Sequence, residues 1–308
     1  MRVAVTGAGG RLGRALIQAL EEAPFTGPKG PIAWRRPELD LDSLTVESVI
    51  ALIERDRPEL IIHAAAWTDV DGCAKDPALA MRRNGTATGL IAEACADHGV
   101  SLAIISTNEV FDGRRTDGRG YAPDDQRNPI NAYGRSKLEG EQLAHDSMYE
   151  DGGWPLAIIR TSWLHGPPGG DFPAKIASAA LRAKAAGEPL RVVGDEIGTP
   201  TYTPDVAEAI MELIYEDALC RHGELARIHH LVNGGTASRA DWAREVLRAT
   251  RIDVEVDEVP GSTWQRSSTP PLWAVLEPTP LPSDEPMRDW REAFADAAPA
   301  LIRSLANG

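Results

Sequence analysis

The sequence predicts an α/β fold, a doubly wound parallel sheet, and two features of its 308 residues indicate it. Short apolar segments typical of buried strands alternate with longer segments whose apolar residues recur at helical spacing. The first half of the chain repeats this order several times, which is typical of βαβ units and a parallel sheet. Apolar residues make up 43% of the chain and charged residues 25%, the composition of a folded globular protein.

The predicted elements follow one another closely along the chain. Strands are expected at 2–6, 31–34, 60–63, 100–105 and 155–159, and helices at 11–22, 45–56, 77–98 and 133–147. Because parallel sheets bind ligands beyond the carboxyl ends of their strands, the chemistry should lie just after residues 6, 34, 63, 105 and 159.

The alternation of strand and helix breaks after about residue 165, where glycine and proline cluster at 166–173. Further helices are expected at 174–186, 205–217 and 238–249, and further strands at 190–193 and 227–232. We therefore predict a first domain at 1–165 and a smaller C-terminal domain at 166–308, with some later strands returning to the first sheet.

The net charge of −14 argues against a nucleic-acid partner, because an acidic chain repels phosphate backbones. It does not exclude a small phosphorylated ligand, whose site is local. We expect neither a signal peptide nor a membrane segment, since no stretch approaches about 18 consecutive apolar residues. Three cysteines (Cys73, Cys95 and Cys220) lack metal-ligand spacing, so they are expected to be reduced thiols in a cytoplasmic protein without a bound metal.

A glycine-rich turn follows the first predicted strand. Gly7, Gly10 and Gly13 are spaced by three residues, and a predicted helix begins at Arg11. Glycine permits a tight turn and lets the backbone approach a pyrophosphate, and the helix N-terminus supplies free N–H groups. The motif in this position indicates a Rossmann-type, dinucleotide-binding domain.

Tyr133 and Lys137 are four residues apart, so on a helix they share one face. A phenol has a pKa of about 10, and a neighbouring ammonium is expected to lower it. Such a tyrosine can donate a proton to a carbonyl oxygen near neutral pH. The pair is therefore a candidate proton-transfer site.

Polar residues follow two central strands. Hydroxyls in Ser106-Thr107-Asn108 can bind a substrate carbonyl or a ligand phosphate, although the same residues also suit a turn or a helix cap. In the segment 63–68, small alanines allow a flat ring to lie against the backbone. His63 is expected to be a structural hydrogen-bonding group, because nothing in the sequence pairs it with a nucleophile.

Together, these motifs resemble the extended short-chain dehydrogenases/reductases, and within them the dTDP-4-dehydrorhamnose reductase family. Segments 106–113, 133–141, 160–163 and 195–201 are similar to that family's STDYVFDG, YGxSKxxGE, RTSW and DQxGxPT sequences, and 269–276 is loosely similar to RPxxSxL. The resemblance covers nearly the whole chain. It implies NAD(P)H-dependent reduction of a ketone on a nucleotide-activated deoxysugar, bound in a cleft beside a C-terminal substrate-binding domain.

The resemblance also implies roles for individual residues. Tyr133 would be the general acid, Lys137 would tune it and hold the nicotinamide ribose, and Thr107 would orient the substrate carbonyl. The cofactor would be contacted at its pyrophosphate by Gly7, Gly10, Arg11, Leu12 and Gly13, at its adenine by Asp40 and Leu41, and elsewhere by Ala64, Ala65 and Ala66. Thr68 and Trp163 would face the sugar, and Asn84 would support the site.

Three departures from the family pattern lie on the substrate side. Asn108-Glu109 stand where the family has Asp-Tyr and would flank the substrate, Asp171-Phe172 replace Asn-Phe, and Thr269 replaces an arginine. A rhamnose-type sugar is the default substrate, but a different 4-keto sugar or a cyclitol ketone fits nearly as well. The expected partner is a nucleotide-sugar substrate, with a homodimer as an option.

Two other functions stay open. A non-catalytic, cofactor-binding regulatory subunit like that of methionine adenosyltransferase shares the resemblance. Asn108-Glu109 favour it, whereas the intact Thr107, Tyr133 and Lys137 argue against it. A nucleotide-sugar epimerase or dehydratase has less support, since a dehydratase is expected to place Asp-Glu after Thr107.

NADPH is the predicted cofactor, with NADH usable. Arg35 and Arg36 follow the second strand, where NAD-specific enzymes often place a carboxylate for the ribose 2′-hydroxyl. Two guanidiniums can bind a 2′-phosphate through several N–H donors. We expect a higher kcat/KM for NADPH than for NADH, and loss of that preference in the double variant Arg35→Ala/Arg36→Ala. A wild-type preference for NADH, or an NADPH preference untouched by both substitutions, would contradict this assignment.

Overall fold

The computed structural model describes residues 1–150, 153–219 and 227–306. Its strands are β1 (Val3–Thr6), β2 (Ile32–Trp34), β3 (Leu60–His63), β4 (Ser101–Thr107), β5 (Leu156–Thr161), β6 (Leu164–His165), β7 (Leu190–Val193), β8 (Ile197–Gly198), β9 (Thr201–Tyr202), β10 (Arg227–His230), β11 (Ala237–Ser238) and β12 (Val256–Val259). Its α-helices are α1 (Arg11–Glu22), α2 (Val46–Asp56), α3 (Val70–Lys75), α4 (Pro77–Ala80), α5 (Ala87–His98), α6 (Ala132–Glu150), α7 (Phe172–Ala186), α8 (Thr203–Tyr215), α9 (Arg239–Thr250) and α10 (Trp290–Ala306).

Six parallel strands form the main sheet in the order β2-β1-β3-β4-β5-β10, which confirms the predicted doubly wound fold. The strand order reverses at β1, which lies between β2 and β3. Thr6, at the end of β1, is in register with Trp34 and His63 at the ends of its neighbours. The segments after these strands therefore leave the sheet together, at the point where doubly wound sheets bind ligands.

Both faces of the sheet are covered by helices. Val5 packs on one face with Leu16 of α1 and Ile210 of α8, whereas Ala4 packs on the other face with Ile91 of α5. This double coverage explains why the strands are continuous apolar runs rather than alternating ones. None of the described helices combines the length and the apolar composition that crossing a membrane requires.

A separate apolar cluster forms among elements that follow residue 165. Helices α7, α9 and α10 pack around Trp242, Trp290 and Phe294, next to the parallel strand pair β7 and β12. Two other late elements join the first half of the chain. Strand β10 pairs with β5 in the main sheet, and helix α8 packs on α1, which covers one face of that sheet. The chain therefore returns to the first sheet after leaving it.

Several elements differ from the prediction. The helix expected at 77–98 is divided by a π-helical turn at Met81–Thr86, and α3, β12 and α10 were not predicted. The sequence before α10 is rich in proline, and Pro299 lies inside this helix. Because β4 extends to Thr107, Ser106 and Thr107 end a strand rather than begin a loop.

A buried ion pair fixes α6 to the sheet. The carboxylate of Glu141 accepts hydrogen bonds from Arg160 of β5, at 3.0 Å from Nε and 2.8 Å from Nη2, and a third from Oγ of Ser106 in β4. Both charged side chains are fully buried. Arg160 also donates to the carbonyl of Pro123 at 3.0 Å. These bonds set the position of α6, whose first two turns carry Tyr133 and Lys137.

Removing one partner of this ion pair should destabilise the fold. Glu141→Ala leaves the guanidinium of Arg160 buried and unpaired, so we expect the free energy of unfolding to fall by about 3–5 kcal/mol in chemical denaturation. Glu258→Ala breaks an exposed ion pair with Arg244 and should cost less than about 1 kcal/mol. Equal losses in the two variants would contradict this role.

Candidate active site

Two connected cavities open at the carboxyl ends of the central strands. The larger has a volume of about 450 Å³, and its lining includes Gly10, Arg11, Leu12, Gly13, Ala64, Ala66, Thr68, Thr107, Asn108, Glu109, Tyr133, Lys137 and Trp163. The smaller, of about 330 Å³, shares Gly10, Ala64 and Ala66 with it and adds Gly7, Arg35, Arg36, Leu41 and Ala65. The two cavities bring together every predicted cofactor, substrate and catalytic residue except Asp40.

The glycine turn presents bare backbone to both cavities. Gly7 has a φ of 64°, and a Cβ there would lie 2.8 Å from the backbone of Ala65. No side chain caps α1 at Gly10, so the N–H groups of its first turn stay available to a ligand. Free N–H groups at a helix N-terminus, beside a wall without side chains, fit the pyrophosphate of a dinucleotide.

His63 connects β1 to β3 beneath this turn. Its Nδ1 lies 2.7 Å from Oγ1 of Thr6, which also accepts a hydrogen bond from the N–H of Ala65 at 3.1 Å. Burial lowers the pKa of His63 to about 3, and the charge of Lys137 acts in the same direction. His63 is therefore neutral near pH 7 and serves as the structural group expected from the sequence.

Tyr133 lies in the first turn of α6, beside the end of β4. Burial raises the pKa of its phenol above the ordinary value, the charge of Glu109 acts in the same direction, and a hydrogen bond with Thr107 lowers it. The expectation that the neighbouring ammonium gives a lowered pKa is therefore wrong in sign, because burial and Glu109 outweigh the other contributions. The phenol is protonated near pH 7, which is the form that donates a proton.

Lys137 lies one turn after Tyr133 and lines the same cavity. Burial lowers the pKa of its ammonium to about 8, although the charge of Glu141 opposes this shift. Glu141, the carboxylate that fixes α6 to the sheet, therefore also helps to keep Lys137 charged.

The residues after β4 define one wall of the cavity. The hydroxyl of Thr107 accepts from the N–H of Glu109 at 3.2 Å and donates to Oδ1 of Asn108 at 3.3 Å. Asn131 donates to the carboxylate of Glu109 at 2.6 Å and to the carbonyl of Thr269 at 3.1 Å. Burial raises the pKa of Glu109. The two residues that depart from the family pattern thus orient a hydroxyl and place a carboxyl group in the cavity.

Asn84 supports the site from outside the cavity. It lies in the π-helical turn, where its amide exchanges hydrogen bonds with the backbone of Trp67 at 2.8 and 3.0 Å. It also donates to Oγ of Ser136 at 3.1 Å, and Ser136 donates to the carbonyl of Tyr133 at 2.8 Å. Asn84 therefore ties the loop after β3 to the first turn of α6, an arrangement that sequence spacing does not reveal.

Arg11 lines the larger cavity beside the glycine turn, and its side chain also contacts the loop before α7. Its guanidinium donates to the carbonyls of Gly166 and Gly169 and lies 3.2 Å from the carboxylate of Asp171. Asp171 also caps α7 by accepting from the N–H of Ala174 at 3.1 Å. The side chain of Arg11 thus holds the loop before α7, because Asp171 provides a charge that the family's asparagine lacks.

Asp40 forms an ion pair with an arginine on the same loop. Its carboxylate lies 3.3 Å from Nε of Arg36 and accepts a hydrogen bond from the N–H of Asp42 at 3.3 Å. Leu41 lines the smaller cavity, and the adenine contacts predicted for Asp40 and Leu41 stay predictions. Because β2 ends at Trp34, Arg35 begins the following loop as predicted.

Arg239, which no sequence motif marked, lies on the substrate side of the larger cavity. Its guanidinium carbon is 3.5 Å from the centre of the Trp163 ring, whose backbone has a φ of 43°. The guanidinium therefore covers the tryptophan ring at the wall of this cavity.

The described residues contain no group of three or more His, Cys, Asp or Glu side chains arranged to hold a metal. Cys73 and Cys95 are buried free thiols, and burial raises the pKa of Cys73 to about 11. Cys220 lies outside the described residues.

Fold and site define an NAD(P)H-dependent reductase of the short-chain type. A family model described as the RmlD substrate binding domain matches residues 1–302, and the chain belongs to this family. It is 35% identical over 302 residues to a dTDP-4-keto-6-deoxy-D-glucose reductase from Streptomyces niveus, with 96% of each chain covered. It is 33% identical over 312 residues to a dTDP-4-dehydrorhamnose reductase from Mycolicibacterium smegmatis, covering 100% of this chain and 88% of that one.

A solved relative carries a bound dinucleotide. The structure of dTDP-4-dehydrorhamnose reductase from Bacillus anthracis in complex with NADP is 29% identical to this chain. The match covers 100% of this chain and 99% of the relative, with a TM-score of 0.79.

The charge of Lys137 should control cofactor affinity. An ammonium donates hydrogen bonds that the neutral amine loses in part, so we expect the affinity of the wild type for NADPH to fall as pH rises through about 8. Lys137→Met should weaken binding at every pH and remove this dependence. Lys175→Met changes an exposed lysine on α7 and should behave as the wild type. Fluorescence titration with NADPH at pH 7, 8 and 9 checks this prediction. A wild-type affinity that does not change over that pH range would contradict it.

Proposed function

We propose that the protein catalyses the NADPH-dependent reduction of the 4-keto group of a nucleotide-activated deoxysugar. The reduction of dTDP-4-dehydro-L-rhamnose to dTDP-L-rhamnose is the first candidate reaction. The observation that carries the proposal is the convergence of Thr107, Tyr133 and Lys137 on one cavity with an uncapped glycine turn. The names of the relatives, reductases of dTDP-linked keto sugars, support the same substrate class.

Residues 1–165 would bind the dinucleotide. The first-turn N–H groups of α1 would hold its pyrophosphate, Arg35 and Arg36 its 2′-phosphate, and Leu41 its adenine. The alanines after β3 (Ala64, Ala65 and Ala66) would border it, and Lys137 would bind the nicotinamide ribose. When bound, NADPH supplies the hydride that reduces the carbonyl carbon.

Tyr133 would donate its phenolic proton to the carbonyl oxygen during reduction. Thr107 would donate its hydroxyl proton to that oxygen, in place of the 3.3 Å hydrogen bond that it gives to Oδ1 of Asn108 in the free protein. Thr68, Glu109 and Trp163 would line the substrate site from the first domain, and residues 166–308 would complete it with Arg239, which stacks on Trp163. Much of the rate enhancement would come from holding the two reactants in contact.

A regulatory subunit without activity is the second candidate, and Asn108-Glu109 are the feature that favours it. Against it, Thr107, Tyr133 and Lys137 line one cavity, and Tyr133 is protonated near pH 7. A cytoplasmic location and a homodimer stay predictions from the sequence.

Substitution of the proton donor tests this function. Tyr133→Phe should lower kcat for NADPH oxidation with dTDP-4-keto sugars by about 10²–10⁴-fold. The affinity for NADPH should stay within a few-fold, because the hydroxyl is remote from the pyrophosphate cradle. Tyr215→Phe removes the hydroxyl of an exposed tyrosine on α8 and serves as the matched control.

The outcomes separate the candidates. A Tyr133→Phe variant with half of the wild-type activity would exclude Tyr133 as the acid. A wild type that binds NADPH but reduces none of the 4-keto sugars would favour the regulatory subunit. Isomerisation of the sugar without net NADPH consumption would favour an epimerase.

A further inference from the structure

Two arginines share one buried carboxylate at the edge of the larger cavity. Oε2 of Glu196 lies 3.5 Å from Nε of Arg239, and its Oε1 lies 2.6 Å from Nη1 of Arg266. Only 3% of the Glu196 side chain is exposed, against 25% for Arg239 and 28% for Arg266. This Arg239–Glu196–Arg266 group has two positive charges and one negative charge, and Glu109 is a further carboxylate whose charge acts on Arg239.

Packing holds the guanidinium of Arg239 in one orientation. It stacks 3.5 Å above the Trp163 ring and lies 5.2 Å from the ring centre of Phe172. Gly198 permits this close packing, because a Cβ there would lie 2.5 Å from the Trp163 ring. A stacked guanidinium keeps its N–H donors in the plane of the group, where an anion can accept two of them together.

The second arginine is held by a fixed segment of chain. Asp71 accepts hydrogen bonds from the N–H groups of Ser267 and Ser268, at 3.0 and 2.9 Å, and from Oγ of Ser268 at 2.9 Å. Asn131 binds the carbonyl of Thr269 on the other side. Arg266 therefore reaches Glu196 from a segment tied to α3 and to the cavity wall.

The charge of Arg239 is only partly compensated. Burial lowers the pKa of its guanidinium to about 10, even though Glu196 and Glu109 stabilise the cation. A desolvated cation that shares its carboxylate is stabilised by a further anion. Among the described cations that line the larger cavity, Arg11 is paired with Asp171 and Lys137 lies beside Tyr133. Arg239 is thus the cation placed to meet the substrate away from the glycine turn.

We propose that Arg239, backed by Glu196 and Arg266, binds the diphosphate of the nucleotide-activated sugar. The contact makes and breaks no covalent bond, and it would fix the distance between the sugar ring and Tyr133. This assignment rests on the proposed function, since it takes the ligand to be a sugar nucleotide. It makes Arg239 a binding residue and Glu196 a positioning residue.

Binding measurements with nucleotides that differ only in phosphate number test the assignment. The wild type and Arg239→Met are titrated calorimetrically with dTDP, dTMP and thymidine, in saturating NADP⁺ so that the dinucleotide site is filled. We expect Arg239→Met to weaken dTDP binding by about tenfold to a hundredfold, to weaken dTMP binding less and to leave thymidine binding unchanged. Arg244→Met, on the next turn of α9 and paired with Glu258 outside the cavity, should bind dTDP as the wild type does.

Two further variants keep the test decisive if Arg239→Met folds poorly. Arg239→Lys retains the charge without the stack and should recover part of the dTDP affinity. Arg266→Met, at a more exposed position, should weaken dTDP binding to a smaller extent. The proposal is overturned if wild-type affinity does not rise with phosphate number, or if Arg239→Met weakens dTDP and thymidine equally. Failure of the proposed reaction would instead appear as tight dTDP binding without reduction of any 4-keto sugar.

Discussion

The buried ion pair between Arg160 and Glu141 connects three elements that carry the site. It joins β5 to α6, and Ser106 brings the end of β4 to the same carboxylate. Taking two charges out of water costs several kcal/mol for each ion, so such a pair contributes little net stability compared with apolar side chains of the same size. The ion pair instead fixes the position of α6 relative to β4 and β5, because the hydrogen bonds to Glu141 come from both strands. Tyr133 and Lys137 then project into the same cavity as Thr107.

Backbone groups line one side of the site, and side chains line the other. At the switch point of the sheet, α1 offers backbone N–H groups and the glycines exclude side chains, which suits a ligand that the protein must approach closely. On the opposite side, charged and aromatic groups from the second half of the chain line the cavity. Arg11 and Asp171 link the two halves directly, so the first residue of α1 also positions the loop that precedes Phe172. The loop and the dinucleotide site are therefore structurally coupled.

The parts that sequence predicted are those with local causes. The end of β2 at Trp34, the glycine turn and the one-turn spacing of Tyr133 and Lys137 all follow from residues close together in the chain. The features that the sequence did not predict depend on contacts between residues far apart in the chain. Arg239 covers Trp163 across 76 residues of sequence separation (239 − 163), a contact that spacing does not reveal. The pKa of Tyr133 differs in direction from the expectation because burial depends on the whole fold.

Hydride transfer from the cofactor to the sugar is the central claim, and isotope tracing tests it most directly. The wild type would be incubated with dTDP-4-dehydro-L-rhamnose and NADPH carrying two deuterium atoms at carbon 4 of the nicotinamide, so that transfer from either face carries the label. We predict that the product carries deuterium at carbon 4 of the sugar ring, detected by NMR, and that one NADPH is consumed for each sugar reduced. A product without deuterium at that carbon, or unchanged sugar with intact NADPH at full cofactor occupancy, would contradict it.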